Sequence, residues 1–248
     1  MHFDKKCDDI LHQGEYRGII TDIHISYPGK RRKGIMWNIE FKGKLKGDID
    51  RISSGEPIPE NAVQFKEPDS PQKAFAQGIL IALPPFFIML VLAIVRLVNV
   101  YSLKGVEDRS AYIKSFFPAL IVSLLLLWPA TYIHEYIHAF LFPKALKKQI
   151  YVSPETYSLF VYCEECVSKP RFIVICLGPA VIQGVLPFIA AILLAPVISA
   201  QVYLAIVFFG LMMFLSGIGD FVNTFNCVRQ VPKNAEVFNR GFHSYWTA

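Results

Sequence analysis

At 248 residues, with 53% hydrophobic and only 18% charged side chains, the chain lacks the charged surface that keeps a soluble domain of this size dissolved. The five cysteines (Cys7, Cys163, Cys166, Cys176 and Cys227) are odd in number, which excludes a complete disulfide framework. The net charge of +5 is small, and its placement along the chain matters more than its size.

No apolar run opens the chain, so membrane insertion is expected to depend on later segments. The residues up to about Ser70 read as soluble, and two stretches in them carry strand-like patterning, Tyr16 to Tyr27 and Gly34 to Ile52. In the second, Ile35, Trp37, Ile39 and Phe41 alternate with Met36, Asn38, Glu40 and Lys42, a period of two. Pro28-Gly29 and the basic run Lys30 to Lys33 between them predict a turn, either solvated or touching anionic headgroups. Residues 53–73, with Pro57, Pro59, Pro68 and Pro71, read as a linker.

From Ala74 the character changes. Ala74 to Leu103 has one charged residue, Arg96; Ser115 to Pro143 has no Lys, Arg or Asp; Phe172 to Val228 has only Asp220. A spanning helix needs about 20 apolar residues, so the last run predicts two helices, with the break at Ser199-Ala200-Gln201. Four spans follow, at 75–99, 113–142, 172–197 and 201–227. Arg96 is expected to snorkel near the end of the first. In the loop between the second and third spans, Tyr151 to Pro154 and Leu159 to Tyr162 predict two strands around a turn. They form either an ordinary surface hairpin or an edge for an extended substrate. Cys163-x-x-Cys166 has the spacing of half a zinc ribbon without a second pair, so incidental reduced thiols are expected there.

Lys and Arg placement orients the spans. The segment up to Lys73 has 13, the 143–171 loop five and the residues after Val228 three, against four in Arg96 and the 101–114 loop and none in the 198–201 turn. Both termini and the middle loop are therefore expected in the cytoplasm.

Apart from Arg96, the ionisable groups inside the spans are His134, Glu135, His138 and Asp220. Such groups cost several kcal/mol in hydrocarbon unless paired or ligated, so they default to functional candidates. Histidines four apart on a helix lie about 40° apart around its axis and one turn along it, and both can reach one Zn²⁺. Glu135, beside the first, can hold a water at the metal and accept its proton as general base. A polar cluster that merely bonds helices together is the alternative. Zinc needs a third protein ligand, and Asp220 is the candidate. His134 lies 18 residues after Phe116 and Asp220 lies 18 after Val202, on helices running the same way, so both fall about 27 Å along their helices. Gly217 and Gly219 would let another helix approach or locally loosen the backbone around the site, Asn223 could orient the aspartate or hold a substrate carbonyl, and Gly178-Pro179 should kink the third helix and free backbone groups beside the site.

His134-Glu135-Tyr136-Ile137-His138 in a membrane helix, with a Gly-Asp in a later one, resembles the site-2-protease class of intramembrane zinc proteases. From the first span onward the chain is more closely similar to a bacterial family of membrane zincin peptidases, through the motif helix, Tyr151 to Pro154, Leu177-Gly178-Pro179 and Ser216 to Asp220. The resemblance implies His134, His138 and Asp220 as zinc ligands and Glu135 as the base. Two features depart from the site-2 proteases: Phe221 follows Asp220, and no Asn follows Gly178-Pro179.

The expected protein is thus an all-α polytopic membrane protein of about four transmembrane helices. Residues 1–73 form a small β-rich cytoplasmic segment and linker, 74–228 the metalloprotease domain, and 229–248 a cytoplasmic tail. It is expected to sit in the cell membrane and to hydrolyse membrane-associated protein or peptide substrates, with no nucleic acid partner. A metal transporter or a non-catalytic adaptor would use the same His and Asp without needing Glu135 as a base.

Overall fold

The computed structural model describes residues 37–45, 57–102, 109–153, 159–241 and 243–248. The expected strand at 16–27 and the basic turn at 30–33 lie outside them.

Helix α1 (Pro71–Leu97) starts where the sequence caps it: Ser70 Oγ accepts from the Lys73 N–H, and Pro71 takes the first helical position. A π-helical turn, Val98–Ser102, extends it. Helix α2 (Arg109–Leu141) carries the His-Glu-x-x-His motif in its last turns. The third span is composite: α3 (Lys169–Pro179), a π-helical segment (Ala180–Val185) and α4 (Leu186–Leu194). The last is α5 (Ala200–Ser216), then α6 (Ile218–Gln230). Three stretches, Gln72–Tyr101, Phe116–Leu141 and Lys169–Leu194, are long and apolar enough to cross a membrane; α5 and α6 qualify as a fourth if the pair, bent by 50°, is one span. Each of the four expected spans falls on one of these.

Large apolar side chains such as Leu80, Leu125 and Leu193, each at least 70% exposed, cover the outside of the bundle. An apolar surface of this extent is consistent with a bundle surrounded by lipid. Inside, small residues let backbones meet. A Cβ on Gly210 would lie 2.9 Å from the Gly184 carbonyl oxygen, and one on Gly184 would lie 2.9 Å from the Phe214 backbone, so α5 crosses the π-helical segment at van der Waals range. Polar side chains close the remaining joints. The fully buried Tyr203 donates to the Ala93 carbonyl at 2.8 Å, joining α5 to α1. Arg96 donates to the Ile192 carbonyl at 3.0 Å, so the cation at the end of α1 binds the end of α4.

Among the described residues, seven strands make two sheets: β1 (Ile39–Lys44), β2 (Val63–Gln64), β3 (Lys148–Val152), β4 (Leu159–Tyr162), β5 (Val167–Ser168), β6 (Glu236–Arg240) and β7 (His243–Thr247). The first has the order β1-β3-β4 and the second β2-β7-β6-β5. Within residues 37–45 the period-two stretch does form a strand, pairing parallel with β3 through an irregularity at Gly43, whose φ of +76° suits glycine. The residues read as linker contribute β2, and those read as a tail form the β6–β7 hairpin that β2 and β5 flank. Sequence reasoning missed β2 and β5 because each is two residues long and pairs with a strand far away in the chain. The second sheet has a topological consequence. It joins the approach to α1, the approach to α3 and the exit from α6, so all three lie at one end of the bundle.

Candidate metal centre

On α2, the buried rings of His134 and His138 lie one turn apart with centroids separated by 4.9 Å. Asp220 reaches them from α6. Gly217 ends α5, and α6 restarts at Ile218, which places Asp220 in its first turn, where the positive end of the helix dipole favours a carboxylate. Its Oδ2 lies 3.2 Å from His134 Nε2 and 3.4 Å from His138 Nε2. The matched depth expected from the sequence thus corresponds to direct contact across sequence separations of 86 and 82.

The donor set can be tested against zinc on distance and on tautomer. Tetrahedral ligands at 2.0–2.1 Å from one ion lie about 3.3 Å apart, which matches the two Oδ2–Nε2 separations. One donor atom from each of the three residues lies within 4.8 Å of the others, and this is the one such group of three among the described residues. Both Nδ1 atoms are occupied elsewhere. His138 Nδ1 donates to the Ile175 carbonyl at 2.8 Å, and His134 Nδ1 makes a long 3.5 Å contact with Ser216 Oγ, whose own hydrogen goes to the Met213 carbonyl. Protonation at Nδ1 leaves the Nε2 lone pairs facing Asp220, as a metal requires. Two imidazoles and a carboxylate fit zinc.

The Gly178-Pro179 expectation acquires a specific form. Pro179 stands four residues after Ile175 and has no N–H, so the Ile175 carbonyl has no helical partner and is available to His138. Gly178 does a second job: a Cβ there would meet the end of the Leu141 side chain, so glycine lets α3 lie against α2 beside the motif with Leu141 in place. Of the two later glycines, Gly217 is a close approach, its Cβ position 3.3 Å from that of Ala180, whereas a Cβ on Gly219 would meet nothing within 4 Å. Close approach therefore holds at Gly217 and not at Gly219, and the break between α5 and α6 falls at Gly217. Asn223 is half-buried and makes no hydrogen bond to Asp220 among the described residues.

Glu135 lies outside the donor triad, half-buried, with the Val161 backbone N–H of β4 close to its carboxylate. That contact, the Ile175 carbonyl and Ser216 were not assigned roles from the sequence. A carbonyl four residues before a proline is the signal that could have found Ile175. The Cys163-x-x-Cys166 pair stays outside the centre: burial pushes the Cys163 thiol up to about 12, far from the range of a reactive thiolate.

A family model described as "Putative zincin peptidase" matches residues 127–235, a stretch that contains His134, Glu135, His138, β3, β4 and Asp220. No curated protein and no solved structure matches the chain.

Proposed function

We propose that the chain is a zinc-dependent intramembrane endopeptidase of the site-2-protease kind, acting on membrane-associated protein or peptide substrates. The observation that carries this is the meeting of Asp220 with both histidines of the motif, with Glu135 left outside the triad and beside it.

His134, His138 and Asp220 would hold the zinc ion. When bound, zinc polarises a peptide carbonyl and makes water nucleophilic at neutral pH. Glu135 accepts a proton from the attacking water as its oxygen bonds to the carbonyl carbon, and returns that proton to the amine as the C–N bond breaks. The Val161 N–H orients the carboxylate for both transfers. Strand β4 pairs with β3 on one side and turns its other edge toward Glu135. A substrate strand added along that edge would lie extended across the site, the conformation that peptide hydrolysis requires. The excess of Lys and Arg in the segments at the sheet-bearing end supports a cytoplasmic location for that end, with the site near the same face.

The test is processing of candidate membrane-protein substrates by wild type and by Glu135→Gln at equal zinc content. The variant keeps size and hydrogen bonding but cannot accept a proton, so processing should fall by about 10²–10⁴-fold. Equal processing by the two proteins would rule out the hydrolytic mechanism.

A further inference from the structure

Asp220 meets the histidines from the first turn of α6, just past the bend of 50° that separates α6 from α5. Once a break interrupts the hydrogen-bond ladder, packing sets the direction of the next turn. Two contacts do so here. The first comes from α1, where Gly78 is buried against Ile218, the residue that opens α6. A Cβ on Gly78 would lie 2.6 Å from the Ile218 carbonyl oxygen and 3.2 Å from its carbonyl carbon, and would also strike Cγ2. A rotamer change could relieve the overlap with Cγ2, but the carbonyl is helix backbone. Ala82, one turn after Gly78, belongs to the same buried core as Phe214 and Phe221.

The second contact closes across the bend. Phe221, next to Asp220 in the chain, packs its ring on Phe214 of α5 with centroids 4.9 Å apart. The Phe221 N–H also donates to the Gly217 carbonyl at 2.9 Å, so the turn that carries Asp220 is tied to the break itself. Phe221 is one of the residues by which the chain departs from the site-2 proteases, and this packing accounts for a large aromatic side chain there.

On the reading of the metal centre given above, we propose that α1 completes that centre: Gly78 and Phe221 hold the first turn of α6 where Asp220 meets both histidines. Neither supplies a donor atom, so both are positioning residues that act through the backbone of residues 218–221. The helix α1 lies outside the matched residues 127–235, so part of the support of the third ligand comes from beyond the segment that defines the family. The tolerance is narrow. Cβ atoms do not approach a carbonyl oxygen closer than 3.0 Å, so an alanine at 78 displaces Ile218 from α1 by about 0.4 Å or more. Metal sites accept ligand-distance errors of about 0.2 Å.

The experiment measures metal binding by the full chain in detergent: zinc affinity by chelator competition, and the visible absorption of bound Co²⁺, which reports ligand geometry. Gly78→Ala should bind zinc about 10–100-fold more weakly and show altered Co²⁺ bands. Phe221→Leu stays apolar but loses the ring contact, so it should shift both readouts the same way; it carries the test if Gly78→Ala does not fold. Tyr203→Phe is the comparison. It removes a bond to Ala93, about four turns beyond Gly78 on α1, and should lower the melting temperature while keeping wild-type zinc affinity and Co²⁺ bands. Wild-type affinity and bands in Gly78→Ala and Phe221→Leu overturn the inference. So does a loss of affinity in Tyr203→Phe as large as theirs, because general loosening would then explain it. Either result leaves the metal centre standing. A wild type that binds no metal, or an Asp220→Ala that binds zinc as tightly as wild type, removes the metal-centre reading and the inference with it.

Discussion

The crossing of Gly184 and α5 places a measurable constraint on the metal centre. An alanine Cβ at 184 would lie 2.9 Å from Phe214 N and Cα and 3.0 Å from its Cβ, all on a helix backbone that cannot rotate out of the way. Restoring ordinary contact requires α5 to retreat by about 0.5 Å, and overpacking of this kind costs about 1–3 kcal/mol. The better helix propensity of alanine offsets about 0.5–1 kcal/mol of that. Phe214 is three residues from the Gly217 bend and six from Asp220, so the retreat moves the carboxylate relative to the histidines. Metal sites tolerate distance errors of about 0.2 Å, and disturbing the support of a ligand typically lowers affinity about 10–100-fold. Gly184→Ala should therefore both lower the melting temperature of the detergent-solubilised protein and release zinc to a chelator 10–100-fold more readily. Gly219→Ala, closer to Asp220 in sequence but with open space around it, should do neither. A lowered melting temperature with unchanged zinc affinity in Gly184→Ala would refute the coupling, because the Gly217 bend would then be absorbing the shift.

Two further outcomes are expected. A cysteine introduced at Ser199 should react with an impermeant thiol reagent added outside intact cells, and one at Ser153 should not; the opposite pattern would overturn the orientation. The Cys163 thiol, with its pKa raised by burial above the ordinary value of 9.0 to about 12, should stay neutral and resist alkylation at pH 8 in the folded protein. Its contribution to stability is present below pH 9 and lost as pH rises toward 12, and ordinary alkylation kinetics at pH 8 by mass spectrometry would contradict its burial.

The helices and the meeting of His134, His138 and Asp220 were legible because both rest on strong local signals. Apolar runs interrupted by few charges locate the spans, and an i, i+4 histidine pair can face only one way on a helix. Asp220 was reachable because it stands alone: the single charged side chain in a run of 57 residues needs a partner, and depth along parallel helices named it. The second sheet was not legible. Val63-Gln64 and Val167-Ser168 are two-residue strands whose partners come from the far end of the chain, and no periodicity survives over two residues.

The central claim is that His134, His138 and Asp220 form one zinc site, and metal content of the purified protein tests it most directly. Wild type should carry about one Zn²⁺ per chain, the occupancy of a three-ligand catalytic site, with Glu135→Gln close to it. His134→Ala, His138→Ala and Asp220→Ala should each lose most of the metal while remaining folded in detergent. Full zinc retention by Asp220→Ala alongside loss in His134→Ala would contradict the assignment of the third ligand.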